Sequence, residues 1–431
     1  MKENIVLITF DSLRADHCGH MGYERNTTPN LDQFFSEGCG YTDAMSPASR
    51  TNPSMSGIFT GEQMIYDGPV KNPKHSRAHL QKHETIASDL KSSGYRTGAF
   101  CPNAYASRYY GFDYGFDSFN DFMFTNESYQ SLFDKHISES DLYTTLRNIR
   151  NFVQREEAFR TWESYIDRIE TWVNESREPF FLWVFSMDTH YPYLTPKNHR
   201  KFSNLLEMYY YNYICYRILD NYDIEVSDET MQCIRDIYDD SIKFADQFLS
   251  ELKRRLEPHE PTYVIHADHG EALAEHGFYG HFYPSLYQEN VHVPLVVSGK
   301  NIPDSTIESP ISLLQLRKMI NDISAGAFTP ETYPSKGSIF LSEYDGVRDR
   351  QVRSIRKGQL KFHSVIENAN TKEELYDLTE DPKELENISD EYKNGVVQFR
   401  RLVQLQRQHE SEVLRLQDII QEQSADKRLL V

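Results

Sequence analysis

Short apolar runs alternate with longer helical patterns along the first three quarters of the chain, and this alternation restricts the fold more than any other feature. Runs such as Ile5–Phe10 and Phe180–Ser186 are almost entirely apolar, as expected of parallel strands that are covered on both faces. The other predicted strands are Thr97–Cys101, Tyr263–His266 and Val293–Ser298, and the predicted helices include Thr28–Glu37, His83–Ser93 and Glu229–Leu256. The pattern predicts an α/β fold with a doubly wound, mostly parallel sheet flanked by helices.

Changes in composition divide the chain into three parts. Residues 1–302 form the main α/β domain, with an aromatic-rich helical insertion at about 120–228. Residues 303–388 form a smaller C-terminal α+β subdomain, and residues 389–431 form a polar helical tail. The tail carries apolar residues at near-heptad positions, namely Phe399, Leu402, Val413, Leu416 and Ile420. They fit two interpretations, a helix that pairs with a second copy in a homo-oligomer and a helix that folds back on its own domain.

The charge and the cysteines restrict the partners and the compartment. Acidic residues outnumber basic ones by 65 to 46, for a net charge of -19. A surface this negative repels nucleic acid and anionic membranes, so we expect no nucleic-acid partner. The five cysteines are odd in number and have no CxxC spacing, as is typical of reduced thiols. No apolar run is long enough for a signal peptide or a membrane span. We therefore predict a cytoplasmic protein without an integral membrane segment.

Polar side chains follow three of the predicted strands. Asp11 comes directly after the first strand, Asp188 and His190 follow Phe180–Ser186, and Asp268 follows the strand that ends near His266. The carboxyl ends of parallel strands meet at one edge of the sheet, where ligands bind in open α/β folds. We therefore expect these side chains to form one active site.

Two segments supply further candidates. Residues 266–281 hold four histidines and three acidic residues within sixteen positions, and Asp268 with His269 offers one oxygen and one nitrogen ligand to a cation. His281 is a candidate for protonating a leaving group or binding an anion. Thr51 lies at the start of a helical pattern, where it fits an ordinary helix cap followed by Pro53 as well as a nucleophile near a helix terminus and a metal.

A series of short motifs occurs along nearly the whole chain, in the order in which one known protein family carries them. They are Asn4–Asp16, Gly22-Tyr23, Thr27–Asp32, Gly94–Thr97, Gly115–Asp117, Tyr238–Ile242, Ala267–Glu271, Tyr287–Leu295, and Glu374–Leu378 with Asp381-Pro382. In this order they resemble the sulfatase-like family of the alkaline phosphatase superfamily. The resemblance implies a metal-dependent hydrolase of sulfuric or phosphoric esters.

The resemblance also implies residue roles, position by position. Asp11, Asp268 and His269 match metal ligands, Thr51 matches the nucleophile that also contacts the metal, and His190 matches a contact to the anionic ester; His281 falls near a basic substrate-binding position, and Asn103 near another substrate contact. Arg50, one residue before Thr51, is a candidate source of positive charge for the substrate.

The nucleophile position departs from the family pattern. Sulfatases carry Cys or Ser there and convert it to formylglycine, whereas this chain has Thr51, with Met55 in place of the motif's Arg. A formylglycine hydrate expels sulfate by collapsing to the aldehyde, and a threonine ester has no such exit. A phosphothreonine can be resolved by attack at phosphorus. Thr51 therefore favours phosphate or phosphonate esters over sulfate esters.

Alternatives stay open at this point. They are a sulfatase that works without formylglycine, a phosphoglycerol- or phosphoethanolamine-type transferase that modifies a glycan or lipid head group, and a non-catalytic binding protein that keeps the fold. In each case the expected partner is a small-molecule or a glycan- or lipid-linked anionic ester. Ser12 replaces a second acidic ligand of many family members, which argues against a calcium site. With nitrogen from His269, Mn²⁺ or Zn²⁺ is favoured, and Ca²⁺ and Mg²⁺ are the alternatives.

Overall fold

The computed structural model of the protein describes residues 2–65, 73–122, 160–220 and 225–428. Eleven strands belong to its main domain: β1 Ile5–Phe10, β2 Cys39–Met45, β3 Arg96–Phe100, β4 Ser118–Asn120, β5 Phe180–Ser186, β6 Thr262–Ala267, β7 Ala272–Leu273, β8 Tyr279–Gly280, β9 His292–Ser298, β10 Ser305–Ile307 and β11 Ile311–Ser312. Strands β7 and β8 pair only with each other among the described residues, and the other nine form one sheet.

Helices cover this sheet and continue into the C-terminal part. They are α1 Pro29–Ser36, α2 Thr51–Thr60, α3 Pro73–Lys82, α4 Ile86–Ser92, α5 Ile166–Asn174, α6 Leu205–Asp220, α7 Asp228–Leu256, α8 Gln288–Val291, α9 Leu316–Ser324 and α10 Lys393–Arg428. The longest helix of the main domain, α7, is capped by the Ser227 side chain, which accepts a hydrogen bond from the Thr230 amide. Its apolar face is buried, as expected of an amphipathic helix on a sheet.

The large sheet has the order β10-β2-β9-β6-β1-β5-β3-β4, and its ninth strand, β11, also pairs with β2. Its strands pair in parallel except at β9, which is antiparallel to both β2 and β6. The mostly parallel α/β prediction is thus confirmed, but the expectation that Val293–Ser298 is a parallel strand is wrong. The chain leaves β6 at the carboxyl edge, forms β7, β8 and α8, and enters β9 without a helical crossover to the opposite edge.

Strand β5 lies in the middle of the sheet between β1 and β3. All seven of its residues are buried, as are all six of β1. The strand predicted at Phe180–Ser186 is thus confirmed. It interrupts the range of about 120–228 for which we predicted a helical insertion. Helices α5 and α6 lie in that range, and residues 123–159 are outside the described residues.

A second, antiparallel sheet follows the main domain. It consists of β12 Ser338–Asp345, β13 Arg350–Lys357, β14 Leu360–Glu367 and β15 Asn370–Asp377, in that order. Strands β10 and β11 do not join this small sheet, because they pair with β2 of the large sheet. Residues 305–312 therefore belong to the large sheet, although we predicted that the second domain begins at 303.

The C-terminal helix α10 begins on the small sheet. Phe399 stacks on Phe362 with ring centroids 5.5 Å apart, and Val396 and Val403 are buried in the same apolar cluster. This part of the helix therefore folds back on its own domain, and a homo-oligomer through the rest of it stays a prediction. Within the described part of the chain, no helix combines the length and apolarity that a membrane crossing requires.

Candidate active site

The carboxyl ends of β1 and β6 bring three predicted metal ligands together. The ladder continues one residue past each strand, because the Asp11 amide donates to Ser186 O at 3.0 Å and the Asp268 amide donates to Phe10 O at 3.1 Å. Asp11, Asp268 and His269 each offer one ligand atom, and these atoms all lie within 4.8 Å of one another. All three side chains are fully buried. We call this group the metal cluster.

The donor set of the metal cluster fits a divalent cation. His269 Nδ1 lies 2.8 Å from Gly270 O, which places the ring proton on Nδ1 and leaves the Nε2 lone pair facing the carboxylates. His269 Nε2 is 3.7 Å from Asp11 Oδ1 and 3.5 Å from Asp268 Oδ2. Asp268 Oδ2 is buried without a hydrogen-bond partner among the described residues. Burial and the neighbouring Asp11 carboxylate raise the pKa of Asp268 well above its usual range. A cation would satisfy the orphan oxygen and offset the repulsion.

Ser12 orients both carboxylates. Its backbone has φ 60°, a left-handed conformation that is uncommon for a non-glycine residue. The Ser12 amide donates to Asp268 Oδ1 at 3.2 Å, and its hydroxyl donates to Asp11 Oδ1 at 2.9 Å. The Tyr238 hydroxyl donates to Ser12 O at 2.6 Å and so connects this turn to α7. The sequence identified Ser12 only as the replacement of an acidic ligand, and its orienting role became visible with these contacts.

Thr51 is the first residue of α2, and its side chain reaches the metal cluster. Thr51 Oγ1 lies 3.3 Å from His269 Nε2. One turn further along, the Ser54 hydroxyl donates to Asp268 O at 2.6 Å and holds the helix against the end of β6. The Thr51 hydroxyl therefore lies at a helix N-terminus, which stabilises negative charge on oxygen, and beside the metal cluster, which would do so once it held a cation.

Asn103 touches a predicted metal ligand. Its Nδ2 donates to Asp11 Oδ2 at 2.6 Å, while its Oδ1 accepts a hydrogen bond from the Tyr105 amide at 2.7 Å. The Thr189 hydroxyl donates to Asp11 O from the turn after β5. Asn103, for which we predicted a substrate contact, is thus placed where it orients Asp11.

A row of three histidines extends from the metal cluster. The His281 ring centroid lies 4.5 Å from that of His269 and 5.0 Å from that of His190. Burial, then the neighbouring His190, lower the pKa of His281 to about 3, so the imidazole is neutral near pH 7. These contacts place His190 and His281, the two predicted histidines, beside the metal cluster at the carboxyl edge of the sheet.

Glu271 supports His281, and sequence reasoning gave it no role. His281 Nδ1 lies 3.2 Å from each carboxylate oxygen of Glu271. Burial raises the pKa of Glu271 to about 7. The signal was available, because Glu271 lies between His269 and His281 in the stretch 266–281 that is rich in histidines and acidic residues.

Arg50 points toward the second domain. Its guanidinium donates to Glu343 Oε2 at 2.6 Å and to Tyr344 O at 2.6 Å, both at the end of β12. Its charge is still one of the causes that lower the pKa of His281. Arg50, predicted to bind substrate, therefore joins the two domains at the rim of the site.

The model of the sulfatase family matches residues 3–323, a segment that contains the metal cluster, Thr51, Glu271 and both outer histidines. The chain belongs to the sulfatase family. The family is metal-dependent, and the Asp–Asp–His cluster of this chain could hold a metal ion. The protein is thus a hydrolase of the sulfatase family.

Individual relatives are distant. The uncharacterized sulfatase YidJ of Escherichia coli is 22% identical over an alignment 449 positions long, which spans 91% of this chain and 84% of YidJ. Mouse arylsulfatase K is 31% identical over 173 residues, but this match covers only 34% of the chain and 31% of the mouse protein. The phosphonate monoester hydrolase of Agrobacterium radiobacter superposes with a TM-score of 0.65 at 16% identity, over 95% of this chain and 96% of that one. At this identity the structural likeness shows a common sulfatase fold alone.

Proposed function

We propose that this protein hydrolyses phosphate or phosphonate esters through a covalent intermediate on Thr51. The observation that carries the proposal is the position of the Thr51 hydroxyl, 3.3 Å from His269 Nε2 and at the first residue of a buried helix. A divalent ion held by Asp11, Asp268 and His269 would lower the pKa of this hydroxyl and neutralise charge on the transferring group.

The side chain at this position selects the chemistry. Threonine has no route to the aldehyde hydrate through which sulfatases release sulfate. When Thr51 Oγ1 attacks phosphorus, the Thr51 O–P bond forms, the bond to the leaving oxygen breaks, and that oxygen takes up a proton. Water then attacks phosphorus, the Thr51 O–P bond breaks, and the threonine regains its proton. Both half-reactions balance without any oxidant or further cofactor.

The remaining site residues bind the ester and support the leaving group. His190 contacts the non-bridging oxygens of the ester, and His281 lies between His190 and the metal cluster. Glu271 holds the His281 ring through Nδ1, and an anionic ester bound beside the ring favours the protonated imidazole, which then donates a proton to the leaving oxygen. Ser12 and Asn103 hold the Asp11 carboxylate from two sides.

Sulfate-ester hydrolysis is the second candidate, and family membership favours it. In that case Thr51 would act without conversion to formylglycine. A transferase would carry out the same first half-reaction, with an acceptor alcohol in place of water. A fold that also serves a phosphonate monoester hydrolase accommodates phosphorus esters as well as sulfate esters.

The test compares Thr51→Ala with the matched control Thr51→Ser, which keeps the hydroxyl. Each protein is reconstituted with Mn²⁺ or Zn²⁺ and assayed on paired aryl sulfate, phosphate, phosphodiester and phosphonate substrates. We expect Thr51→Ala to lose more than about 10⁴-fold in turnover of the phosphorus esters, and Thr51→Ser to keep most of it. Peptide mass spectrometry after acid quench should find one phosphoryl group on Thr51. Unchanged turnover by Thr51→Ala would overturn the proposal, and preferential sulfate release would favour the second candidate.

A further inference from the structure

The short helix α8 holds the segment that follows the metal ligands. The Gly270 amide donates to Asn290 O at 2.9 Å, and the Glu271 amide donates to Glu289 O at 2.9 Å. The approach is close, because a Cβ added at Gly270 would lie 2.0 Å from Glu289 O. The position of α8 therefore determines where Glu271 lies.

The same helix holds the residue before His281. Asn290 Nδ2 donates to Gly280 O at 3.3 Å, and Asn290 Oδ1 accepts a hydrogen bond from the Ser285 hydroxyl at 2.6 Å. Both members of the Glu271–His281 pair are thus attached to α8 through their own or adjacent backbone. A shift of this helix would move the pair relative to Thr51 and the metal cluster.

The first turn of α8 is bound by one carboxylate from the second domain. The Gln288 amide donates to Glu384 Oε2 at 2.6 Å, and Lys361 Nζ donates to the same oxygen at 3.0 Å. His363 Nε2 lies 2.7 Å from Glu384 Oε1. The Lys361, His363 and Glu384 side chains are almost completely buried, and we call them the Glu384 cluster. In addition, Glu384 O lies 2.8 Å from His276 Nε2, between β7 and β8.

We propose that Glu384 is a positioning residue for catalysis, which acts through α8 to set the Glu271–His281 pair against the reacting ester. This inference rests on the proposed function of the site. Glu384 lies in the loop after β15 and touches neither the metal cluster nor His281 among its described contacts. The second domain would thus contribute to leaving-group protonation through its contacts to α8, above all the hydrogen bond from the Gln288 amide to Glu384.

Three variants separate the hydrogen bond from the charge. Glu384→Ala removes both, and Glu384→Gln keeps an oxygen acceptor for the Gln288 amide. Gln288→Pro removes the amide proton and the Gln288 side chain, an acceptor of Lys361, and places the proline Cδ against Glu384 Oε2, so it breaks the hydrogen bond while Glu384 keeps Lys361 and His363. Proline is tolerated at the first residue of a helix, and Tyr287, with φ -70° and ψ 165°, already has the conformation that suits the residue before proline. If Glu384→Ala does not yield folded protein, Gln288→Pro carries the test.

Glu410→Gln serves as the control for stability. Glu410 on α10 forms a 2.7 Å ion pair with Arg353 on β13 of the small antiparallel sheet. The substitution weakens this ion pair and changes no residue of α8. The first readout is hydrogen exchange of the Gly270 and Glu271 amides, which does not depend on activity. Glu384→Gln leaves the buried Lys361 ammonium unpaired, so exchange is compared after correction for the global stability of each variant. On this scale it should be at least about tenfold faster in Glu384→Ala and Gln288→Pro, and unchanged in Glu410→Gln and Glu384→Gln.

The second readout is turnover of aryl phosphorus esters with good and poor leaving groups. Glu384→Ala and Gln288→Pro should lose about 10–100-fold on poor leaving groups and less than about threefold on nitrophenyl esters, which need little protonation. Glu384→Gln, which keeps the oxygen acceptor, should turn over both kinds of ester about as fast as the wild type.

The outcomes distinguish the two proposals. Unchanged exchange in Glu384→Ala and Gln288→Pro, or equal losses on both leaving groups, would overturn the positioning role. The positioning role would also be overturned if the loss of turnover in each variant only followed its loss of stability, as expected for Glu410→Gln. Full activity of Thr51→Ala would instead overturn the proposed function and leave the exchange result as the measure of positioning.

Discussion

Two groups of ionisable side chains are buried in this molecule, and they differ in how their charges are compensated. The metal cluster holds two carboxylates and one imidazole, and Asp268 Oδ2 has no partner among the described residues. The Glu384 cluster holds one carboxylate with an ammonium and an imidazole, and both carboxylate oxygens accept hydrogen bonds. Each side chain of the two clusters is almost completely excluded from solvent.

The pKa shifts of the two carboxylates have opposite directions. Burial and Asp11 raise the pKa of Asp268. At Glu384 burial acts in the same direction, but Lys361 and then His363 outweigh it and lower the pKa to about 2. Burial therefore does not mark a functional site by itself. The metal cluster is incomplete without a cation, whereas the protein alone completes the Glu384 cluster.

The largest expected effect comes from removing one charge of the metal cluster. Asp268→Asn keeps the oxygen that accepts from Ser12 and His269 and relieves the repulsion with Asp11. We expect metal-dependent turnover to fall by at least about 10³-fold, while the melting temperature in chelator rises. Wild-type protein should gain about 2.7 kcal/mol of stability at a metal concentration of 100 times Kd, and the variant should gain almost none.

Asp240→Asn is the control for this experiment. Asp240 is also buried, but it accepts hydrogen bonds from the Lys201, Phe202 and Ser203 amides away from the metal cluster. The control should be less stable and keep its response to metal. A lower melting temperature of Asp268→Asn in chelator would show that the two aspartates do not repel each other. It would contradict the claim that only the metal cluster holds uncompensated negative charge.

The metal cluster was largely predictable from sequence, and the Glu384 cluster was not. Asp11 and Asp268 directly follow apolar runs, so the geometry of a parallel sheet places them at one edge. Glu384 binds Lys361 and His363, which lie two residues apart on β14, and the Gln288 amide of α8, and no periodic pattern relates these two segments to the loop that carries Glu384. Its importance depends on tertiary contacts alone.

Side-chain direction was a second limit of the sequence. Arg50 adjoins Thr51, which made it a candidate for substrate binding, but its guanidinium contacts Glu343 on β12.

The direction of a strand is a further limit of the sequence. The apolar residues of β9 predict a buried strand and do not specify whether it runs parallel or antiparallel to its neighbours. That direction follows from the connection between β6 and β9.

A smaller effect, in stability alone, is expected when the Glu384 cluster loses its ammonium group. Lys361→Met leaves the buried Glu384 carboxylate with His363 and the Gln288 amide only, and removal of one partner of a buried ion pair costs about 3–5 kcal/mol. Urea unfolding should therefore show a loss of this size, opposite in sign to the effect of Asp268→Asn in chelator. The double variant Lys361→Met with Glu384→Gln should recover most of it, because no unpaired charge remains. A double variant less stable than Lys361→Met would contradict this account.

The smallest expected effect is a pH dependence that belongs to the Glu384 cluster. The folded pKa of Glu384 is about 2, against 4.5 for the unconstrained side chain. Because the folded value is the lower one, the stabilisation is complete well above pH 4.5 and is lost as the pH falls toward 2. Between pH 4.5 and about 3 the free energy of unfolding should drop by about 1.5 kcal/mol from this group. Urea unfolding of wild type and Glu384→Gln at several pH values isolates the contribution, since glutamine does not titrate. Equal slopes for the two proteins in this pH range would mean that Lys361 and His363 do not hold the Glu384 carboxylate in its charged form.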